Sequence, residues 1–210
     1  MAVKSSFTNM VACLGCVTLV CAAILGAVYV YTEDAVSAAQ QAKSTKAIEA
    51  VSPAFDSLCE EKEADGKTSY YVARDAGGVN IALIVTTETS KGFGGKIKMM
   101  VGFLPDGSIY DTSVLEHSET PGLGAKATEE GFKGQFRGFN PFERKLSVVK
   151  DGGDVDAITA ATITSRAYCD ALQTATDKFN TLSQTVFPKP QPEEEPAAEE
   201  ENIEEDTRNE

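Results

Sequence analysis

The stretch DAITAATITS, Asp156–Ser165, decides how the end of the chain folds and what it presents. Its hydroxyl-bearing residues are Thr159, Thr162, Thr164 and Ser165. Apolar residues then recur at helical spacing, which predicts a helix over about residues 164–182. The mouth of a helix offers free backbone N–H groups and the positive end of its dipole, so a hydroxyl there either caps the helix or carries a phosphate ester. A cap needs only one hydroxyl, and both interpretations stay open.

The segments around this stretch predict an α+β domain. Strand-like composition marks five of them: TSYYVAR (68–74), VNIALIVTT (79–87), KIKMMVGFL (96–104), SIYDTSVLE (108–116) and KLSVVK (145–150). A Pro-Asp-Gly-Ser turn at 105–108 joins the third segment to the fourth as a hairpin. The final helix presents one apolar face, formed by Ala167, Ala171, Leu172, Ala175 and Phe179. We therefore expect a largely antiparallel sheet with a C-terminal helix packed on it.

An apolar run near the start of the chain predicts a membrane anchor. No charged residue occurs between Lys4 and Glu33, and Met10–Tyr31 spans about 33 Å as a helix, against about 30 Å for a hydrocarbon core. Tyr29 and Tyr31 lie where an interfacial aromatic belt belongs. A cleaved signal peptide would have a shorter apolar region and an A-x-A-like site. We favour one retained transmembrane helix.

Composition divides the chain into five parts. They are a cytoplasmic N-terminus (1–9), the transmembrane helix (10–31), a helical connector with a break at Pro53 (32–64), the folded domain (65–187, opening with the Asp65-Gly66 turn) and a disordered acidic tail (188–210). Ten of the 32 acidic residues and one of the 19 basic ones lie in 193–210, which leaves the rest at a net charge of −4. The sequence has no basic stripe of the kind that would indicate nucleic-acid binding. The short N-terminal side is expected to stay in the cytoplasm while the domain is exported.

Common catalytic signatures do not occur in the sequence. His117 is the only histidine, no G-x-S-x-G or Walker motif is present, and the cysteines are scattered, so we expect neither a catalytic residue nor a metal site. Three cysteines lie in the apolar run, where thiols pack as small apolar groups. Cys59 and Cys169 lie outside it, and whether they form a disulfide stays open.

DAITAATITS resembles the flavinylation motif D-x-x-[ST]-G-A-T of the FMN-binding domains in the Rnf and Nqr electron-transport complexes. The resemblance implies that Thr162 carries FMN as a phosphoester, with Asp156 and Thr159 as the acid and the hydroxyl of the motif. It also brings three neighbours to the cofactor: Ala161, Thr164 and Ser165. Ala160 stands where the family has Gly. If that Gly serves a positive φ, alanine is strained there.

A second block, HSETPGLGAK, resembles the E-T-P-G-L-G loop that lies against the isoalloxazine ring in the same family. Gly122 and Gly124 would let the backbone approach a planar ligand, and Leu123 would offer an apolar face. Glu119 and Thr120 would offer polar groups to the edge of the ring. The two blocks occur in the family's order, and the resemblance extends to about residue 182.

The single anchor favours the Rnf branch of the family, and within it the G subunits. That implies a flavoprotein component of an ion-translocating ferredoxin:NAD oxidoreductase complex, which carries electrons between partner subunits without turnover of its own. It also implies a bacterial inner membrane, an extracytoplasmic FMN domain, and a flavin transferase that supplies FMN from FAD with bound Mg²⁺. The apolar run has no ionisable carboxylate, Lys or Arg, so Na⁺ or H⁺ movement would belong to partners. The alternatives are the C subunit of the Nqr complex and a non-redox membrane-anchored binding module.

Overall fold

The computed structural model describes residues 7–62 and 69–187. Its regular elements are α1 (Phe7–Val51), β1 (Ser57–Lys62), β2 (Ser69–Arg74), β3 (Asn80–Thr89), β4 (Ile97–Phe103), β5 (Ile109–His117), α2 (Glu130–Lys133) and α3 (Thr162–Val186). The expected tail 188–210, the turn at Asp65-Gly66 and residues 1–6 of the expected N-terminal segment lie outside the described residues.

The five strands form one antiparallel meander in chain order, β1-β2-β3-β4-β5, which confirms the α+β prediction. Val85 of β3 faces Val101 of β4, and Val101 faces Thr112 of β5. The predicted hairpin turn joins β4 to β5: the Asp106 carboxylate accepts hydrogen bonds from the backbone N–H and the hydroxyl of Ser108, at 2.9 and 2.7 Å. Short connections of this kind place the loops between strands at the two opposite ends of the strands.

A helix covers each face of the sheet, because alternate strand residues point to opposite sides. The α3 face buries Val72, Leu83, Val85, Met99 and Val101, and α3 contributes the predicted stripe Ala167, Ala171, Leu172, Ala175 and Phe179. The other face buries Ala73, Ala82, Ile84 and Met100 against Ala47, Ile48 and Val51 of α1. The sheet is therefore the middle layer of three.

Helix α1 runs without interruption from the apolar N-terminal segment to the sheet. It is 45 residues long and ends at Val51, two residues before Pro53, where the sequence predicts a break. It is the one helix in residues 7–62 and 69–187 that is long and apolar enough to cross a membrane, and its most apolar stretch is fully exposed. These features agree with the expected single transmembrane anchor.

The expected helical connector is wrong at its C-terminal end, because residues 57–62 form strand β1. After Pro53 the backbone N–H of Asp56 donates to the carbonyl of Arg74 at 2.9 Å, and pairing with β2 continues from there. The segment SLCEEK has two glutamates and lies at the edge of the sheet, mostly exposed. An edge strand buries little, so its sequence lacks the apolar alternation that identifies inner strands.

The predicted strand KLSVVK is also wrong. Within it Val148 makes one isolated bridge to Val155, and Val149–Asp151 form a short 3₁₀ turn. The segment closes on itself: the backbone N–H of Lys145 donates to the Asp154 carboxylate at 2.7 Å. The backbone groups of this segment bond to nearby residues, so they are not available to pair with the sheet as a sixth strand.

The cysteines are free thiols, so Cys59 and Cys169 form no disulfide. Cys169 is buried in α3, and burial raises the pKa of its thiol to about 12. The thiol therefore stays protonated and packs as a small apolar group.

Candidate functional site

A cavity of about 340 Å³ lies where the two sequence motifs meet. Its walls come from three segments: the loop between β3 and β4, the loop that follows β5, and the start of α3. The lining residues are Phe93, Glu119, Thr120, Leu123, Gly124, Ala160, Ala161, Thr162, Ile163 and Thr164. The wall is mostly apolar with a few polar groups, a composition typical of sites that bind small organic molecules or cofactors.

The turn into α3 is strained at Ala160, whose φ is 62°. This is the left-handed region, which glycine adopts freely and alanine does not. A glycine at this position of the motif therefore serves a positive φ, and this chain places an alanine in the same conformation. The turn brings Ala161 to the N-cap of α3.

No hydroxyl caps α3 in the way the sequence allowed. The N-cap is Ala161, and no side chain bonds to the free N–H groups of the first turn. The Ser165 hydroxyl instead donates to the Ala161 carbonyl at 3.1 Å and accepts the Ile158 N–H at 2.9 Å. Thr164 does not cap the helix either, because its hydroxyl donates to Glu119 at 2.8 Å. The hydrogen bonds of these two hydroxyl groups to other groups of the protein stabilise the turn.

Thr162 is the first residue of α3 and lines the cavity half-buried. Among the residues that the structure describes, its hydroxyl has no hydrogen-bond partner, in contrast to those of Thr164 and Ser165. The N-terminus of a 25-residue helix lies directly beside it, and such an end favours a negative charge. Thr162 therefore combines a free hydroxyl with a local field suited to a phosphate group.

The loop after β5 supplies the opposite wall. The Thr120 carbonyl accepts the backbone N–H groups of Leu123 and Ala125, each at 3.2 Å, so the loop turns tightly. Gly122 provides the positive φ (74°) that this turn requires. The turn holds the Leu123 side chain, 44% exposed, in the wall of the cavity. An apolar group held half-exposed is available to a ligand.

Glu119 lies at the back of the cavity and is only 6% exposed. Its Oε1 accepts the Gly94 N–H at 3.2 Å, and its Oε2 accepts the Thr164 hydroxyl. Its own backbone N–H donates to Nδ1 of His117 at 3.3 Å. The sequence suggested that this carboxylate faces the edge of a ring, whereas both of its oxygens bond to the protein.

Not every predicted site residue lines this cavity. Asp156 and Thr159 line a separate hollow with Lys126 and Glu129 on the other side of the turn, and the Gln135 side chain brackets the backbone of Asp156 with hydrogen bonds of 2.8 and 3.2 Å. Gly122 and Ser165 are not in the lining either, although each shapes a wall of the cavity.

Besides Ala160, two lining residues were not predicted as site residues from the sequence. Phe93 is 68% exposed within the glycine loop KGFGG, and Ile163 is 50% exposed on the first turn of α3. An aromatic residue between glycines is a signal in the sequence that could have identified Phe93. Together with Leu123, these side chains give the cavity an apolar rim that is open to solvent.

Two ion pairs lie beside the start of α3. Arg166, one turn after Thr162, bonds through Nε to Asp151 at 2.7 Å, and hydrogen bonding lowers the pKa of that carboxyl. Lys91 pairs with Asp170 at 2.6 Å and, chiefly by its hydrogen bond, lowers the pKa of that carboxyl. Among residues 7–62 and 69–187, no three His, Cys, Asp or Glu side chains converge as they would around a metal ion.

The segment that holds the cavity matches a known family. Residues 92–177 match the family described as the FMN-binding domain. The matched range includes the glycine loop, the loop after β5 and the start of α3, so it covers every wall of the cavity.

Several relatives have similar sequences over longer ranges. The G subunit of the proton-translocating ferredoxin:NAD(+) oxidoreductase complex of Clostridium ljungdahlii is 40% identical over 122 residues, which is 57% of this chain and 64% of that protein. The G subunit of the ion-translocating oxidoreductase complex of Methanosarcina acetivorans is 33% identical, covering 83% of this chain and 95% of the relative. Its counterpart in Shewanella loihica is 30% identical, covering 89% and 96%.

Two solved structures are also similar to the chain. One is Shewanella oneidensis NqrC, with a TM-score of 0.48 and 23% identity over 65% of this chain and 71% of that one. The other is the C subunit of the Na⁺-translocating NADH-quinone reductase of Parabacteroides distasonis, with a TM-score of 0.44 and 24% identity over 68% and 80%.

Proposed function

Because the chain belongs to the family of G subunits of ion-translocating oxidoreductase complexes, we propose that it is the membrane-anchored flavoprotein of such a complex. In this role it carries electrons between partner subunits and has no turnover of its own. The family match over the cavity supports FMN as its cofactor. The name of the Clostridium relative favours ferredoxin and NAD⁺ as the ultimate electron donor and acceptor.

The cavity fits a flavin by size and by chemistry. At about 340 Å³ it falls within the range of small-molecule sites, roughly 300–1,000 Å³. Phe93, Leu123 and Ile163 offer apolar surface for a planar ring, and the helix N-terminus beside Thr162 offers backbone N–H groups for a phosphate. An apolar wall beside an anion site matches the two parts of FMN, its planar ring and its phosphate.

The observation that carries the proposal is the free, half-buried hydroxyl of Thr162 in the wall of the cavity. Thr164 and Ser165 are almost fully buried, and their hydroxyls are already bonded. Thr159 is exposed and lines the other hollow. Of the four hydroxyls, Thr162 is therefore the one that supports attachment of FMN through a phosphoester.

The residues of the chain position the cofactor, and the cofactor supplies the redox chemistry. A bound FMN accepts and donates one or two electrons. Phe93, Leu123 and Ile163 would cover the ring and reduce its contact with water, and the first turn of α3 would stabilise the negative charge of the phosphoester. The half-exposed rim leaves one side of the cavity open to partner subunits.

Attachment needs a separate enzyme in this proposal. A threonine hydroxyl is a poor nucleophile until a base or a metal activates it. No base bonds to Thr162 among the described residues, and Asp156 lies on the far side of the turn. A flavin transferase would supply the activation and the FMN. Such an arrangement is consistent with a single-pass inner-membrane protein whose N-terminus is cytoplasmic and whose folded domain is extracytoplasmic.

The test compares two threonines of the same helix. Full-length protein is produced with a flavin transferase, denatured, and examined for in-gel flavin fluorescence. We expect fluorescence in wild type and in the control Thr174→Ala, whose exposed hydroxyl lies farther along α3, and none in Thr162→Ala. Trypsin cleaves at Lys150 and Arg166, and tandem mass spectrometry of the peptide 151–166 then identifies the modified residue.

Fluorescence that persists in Thr162→Ala would contradict the assignment. So would an FMN mass on fragment ions that contain Thr164 or Ser165 and exclude Thr162. Complete absence of flavin from the wild-type protein, made with an active transferase, would refute the flavoprotein role itself.

A further inference from the structure

One buried carboxylate joins the three segments that form the cavity. Glu119 is 6% exposed, and each of its side-chain oxygens bonds to a different segment. Oε1 accepts the backbone N–H of Gly94, in the loop between β3 and β4. Oε2 accepts the hydroxyl of Thr164, in the first turn of α3. The residue itself begins the loop after β5, so all three walls meet at this side chain.

Glycines in the neighbouring segments let the three walls pack closely around Glu119 and the backbone beside it. A Cβ added at Gly92 would collide with the Gly95 carbonyl oxygen and lie 2.5 Å from Oε1 of Glu119, and one at Gly94 would collide with the Ser118 carbonyl oxygen and lie 2.9 Å from the Glu119 Cα. One at Gly124 would collide with Oε2 and lie 2.8 Å from the Thr164 hydroxyl oxygen. All of these distances are shorter than real Cβ contacts. Close packing around Glu119 and the adjacent backbone therefore accounts for all three glycines, none of which has a positive φ.

Each wall of the cavity lies within two residues of a contact with Glu119. Phe93 lies between Gly92 and Gly94, Leu123 precedes Gly124, and Thr162 is two residues before Thr164. We infer that Glu119 is a positioning residue, whose carboxylate holds the three walls at a fixed separation so that the cavity is formed before any cofactor enters. That the occupant is a flavin rests on the proposed function. The pre-formed cavity does not rest on it, because the cavity is a property of the unmodified protein.

A glutamine can replace the geometry of Glu119 but not its charge. Its amide oxygen can accept the Gly94 N–H, and its NH₂ group can donate to the Thr164 hydroxyl, which accepts as readily as it donates. An alanine replaces neither bond and leaves the Gly94 N–H without its acceptor. Comparing the two variants therefore separates the hydrogen bonds from the negative charge.

Hydrogen exchange on the full-length, unmodified protein in detergent tests the inference directly. In Glu119→Ala we expect the amides of residues 92–95, 119–120 and 122–124 to exchange about tenfold faster, because the contact that holds both loops is gone. In Glu119→Gln we expect rates within about threefold of wild type. Glu116→Ala is the matched control, since Glu116 is exposed on β5 three residues earlier, and it should leave both loops unchanged.

Exchange in Glu119→Ala within about twofold of wild type at both loops would overturn the inference. If Glu119→Ala fails to fold, Thr164→Val decides the question, because it removes one of the two bonds with little change in volume. Faster exchange confined to residues 119–124 and the first turn of α3 supports the inference, and unchanged exchange overturns it. This readout needs no flavin, so an unmodified Thr162 in wild type would refute the proposed function without affecting the result.

Discussion

Replacing Ala160 by glycine should stabilise the protein. Ala160 is the one non-glycine residue with positive φ among residues 7–62 and 69–187. The left-handed conformation costs a non-glycine residue about 1–2 kcal/mol. Glycine avoids that cost but gives back about 0.5–1 kcal/mol through the greater freedom of the unfolded chain. The side chain of Ala160 is exposed, so its loss removes little burial. We expect a net gain of about 0.5–1 kcal/mol in the free energy of unfolding.

The assay is thermal unfolding of the full-length protein in detergent, followed by circular dichroism. For a domain of this size the gain corresponds to a rise in Tm of about 1–4 °C. Ala161→Gly is the control, since Ala161 is the next residue but has φ −133° and is buried. It should lose about 1 kcal/mol through chain entropy and a lost methyl contact. If Ala160→Gly lowered Tm as Ala161→Gly does, the strain argument would be refuted.

Two further changes test the division of the chain into anchor and site. Deleting residues 1–32 should release a soluble, folded domain that still accepts FMN, because both motifs and the part of α1 that packs on the sheet remain. Size-exclusion chromatography tests whether the product is soluble and folded, and in-gel fluorescence tests whether it carries flavin. An aggregated or unlabelled product would contradict a separable anchor. Leu123→Ser should leave the covalent flavin in place but shift its absorption spectrum or midpoint potential, because a polar group replaces apolar surface in the wall; loss of labelling would show that the loop is required for attachment.

The fold could be predicted wherever burial leaves a pattern. Strands β2 to β5 are rich in β-branched and aromatic residues and the apolar face of α3 has helical spacing, and the structure confirms these elements within a few residues. Strand β1 was not predicted because an edge strand with two glutamates has the same polar composition as the exposed side of a helix. KLSVVK was predicted as a strand because it is rich in valine. Its backbone instead pairs locally with residues 154 and 155, and such pairing leaves no periodic pattern in the sequence.

The site could be predicted only as far as local motifs extend. Thr162, Leu123 and Gly124 line one cavity, as the resemblance of the two blocks implied. Asp156 lies outside that cavity because the left-handed turn at Ala160 sends the preceding chain to the other side. The bonds of Glu119 join residues 25 and 45 positions apart, and such long-range contacts have no signature in a single sequence.

The uninterrupted α1 fixes not only how far the cavity lies from the membrane but also which way it faces. Lys43, twelve residues after Tyr31, donates through Nζ to the carbonyl of Leu115, close to the end of β5 from which the cavity loop departs. With residues 10–31 in a bilayer, that end of the sheet stands about 18 Å along the helix from the end of the span. One residue inserted between Tyr31 and Lys43 would raise the domain by only about 1.5 Å but would turn it by about 100° about the helix axis. Seven inserted residues would raise it by about 10 Å and restore its direction to within about 20°. The phase of α1 therefore sets the direction in which the open rim of the cavity faces, and the length of α1 sets the height of that rim above the bilayer.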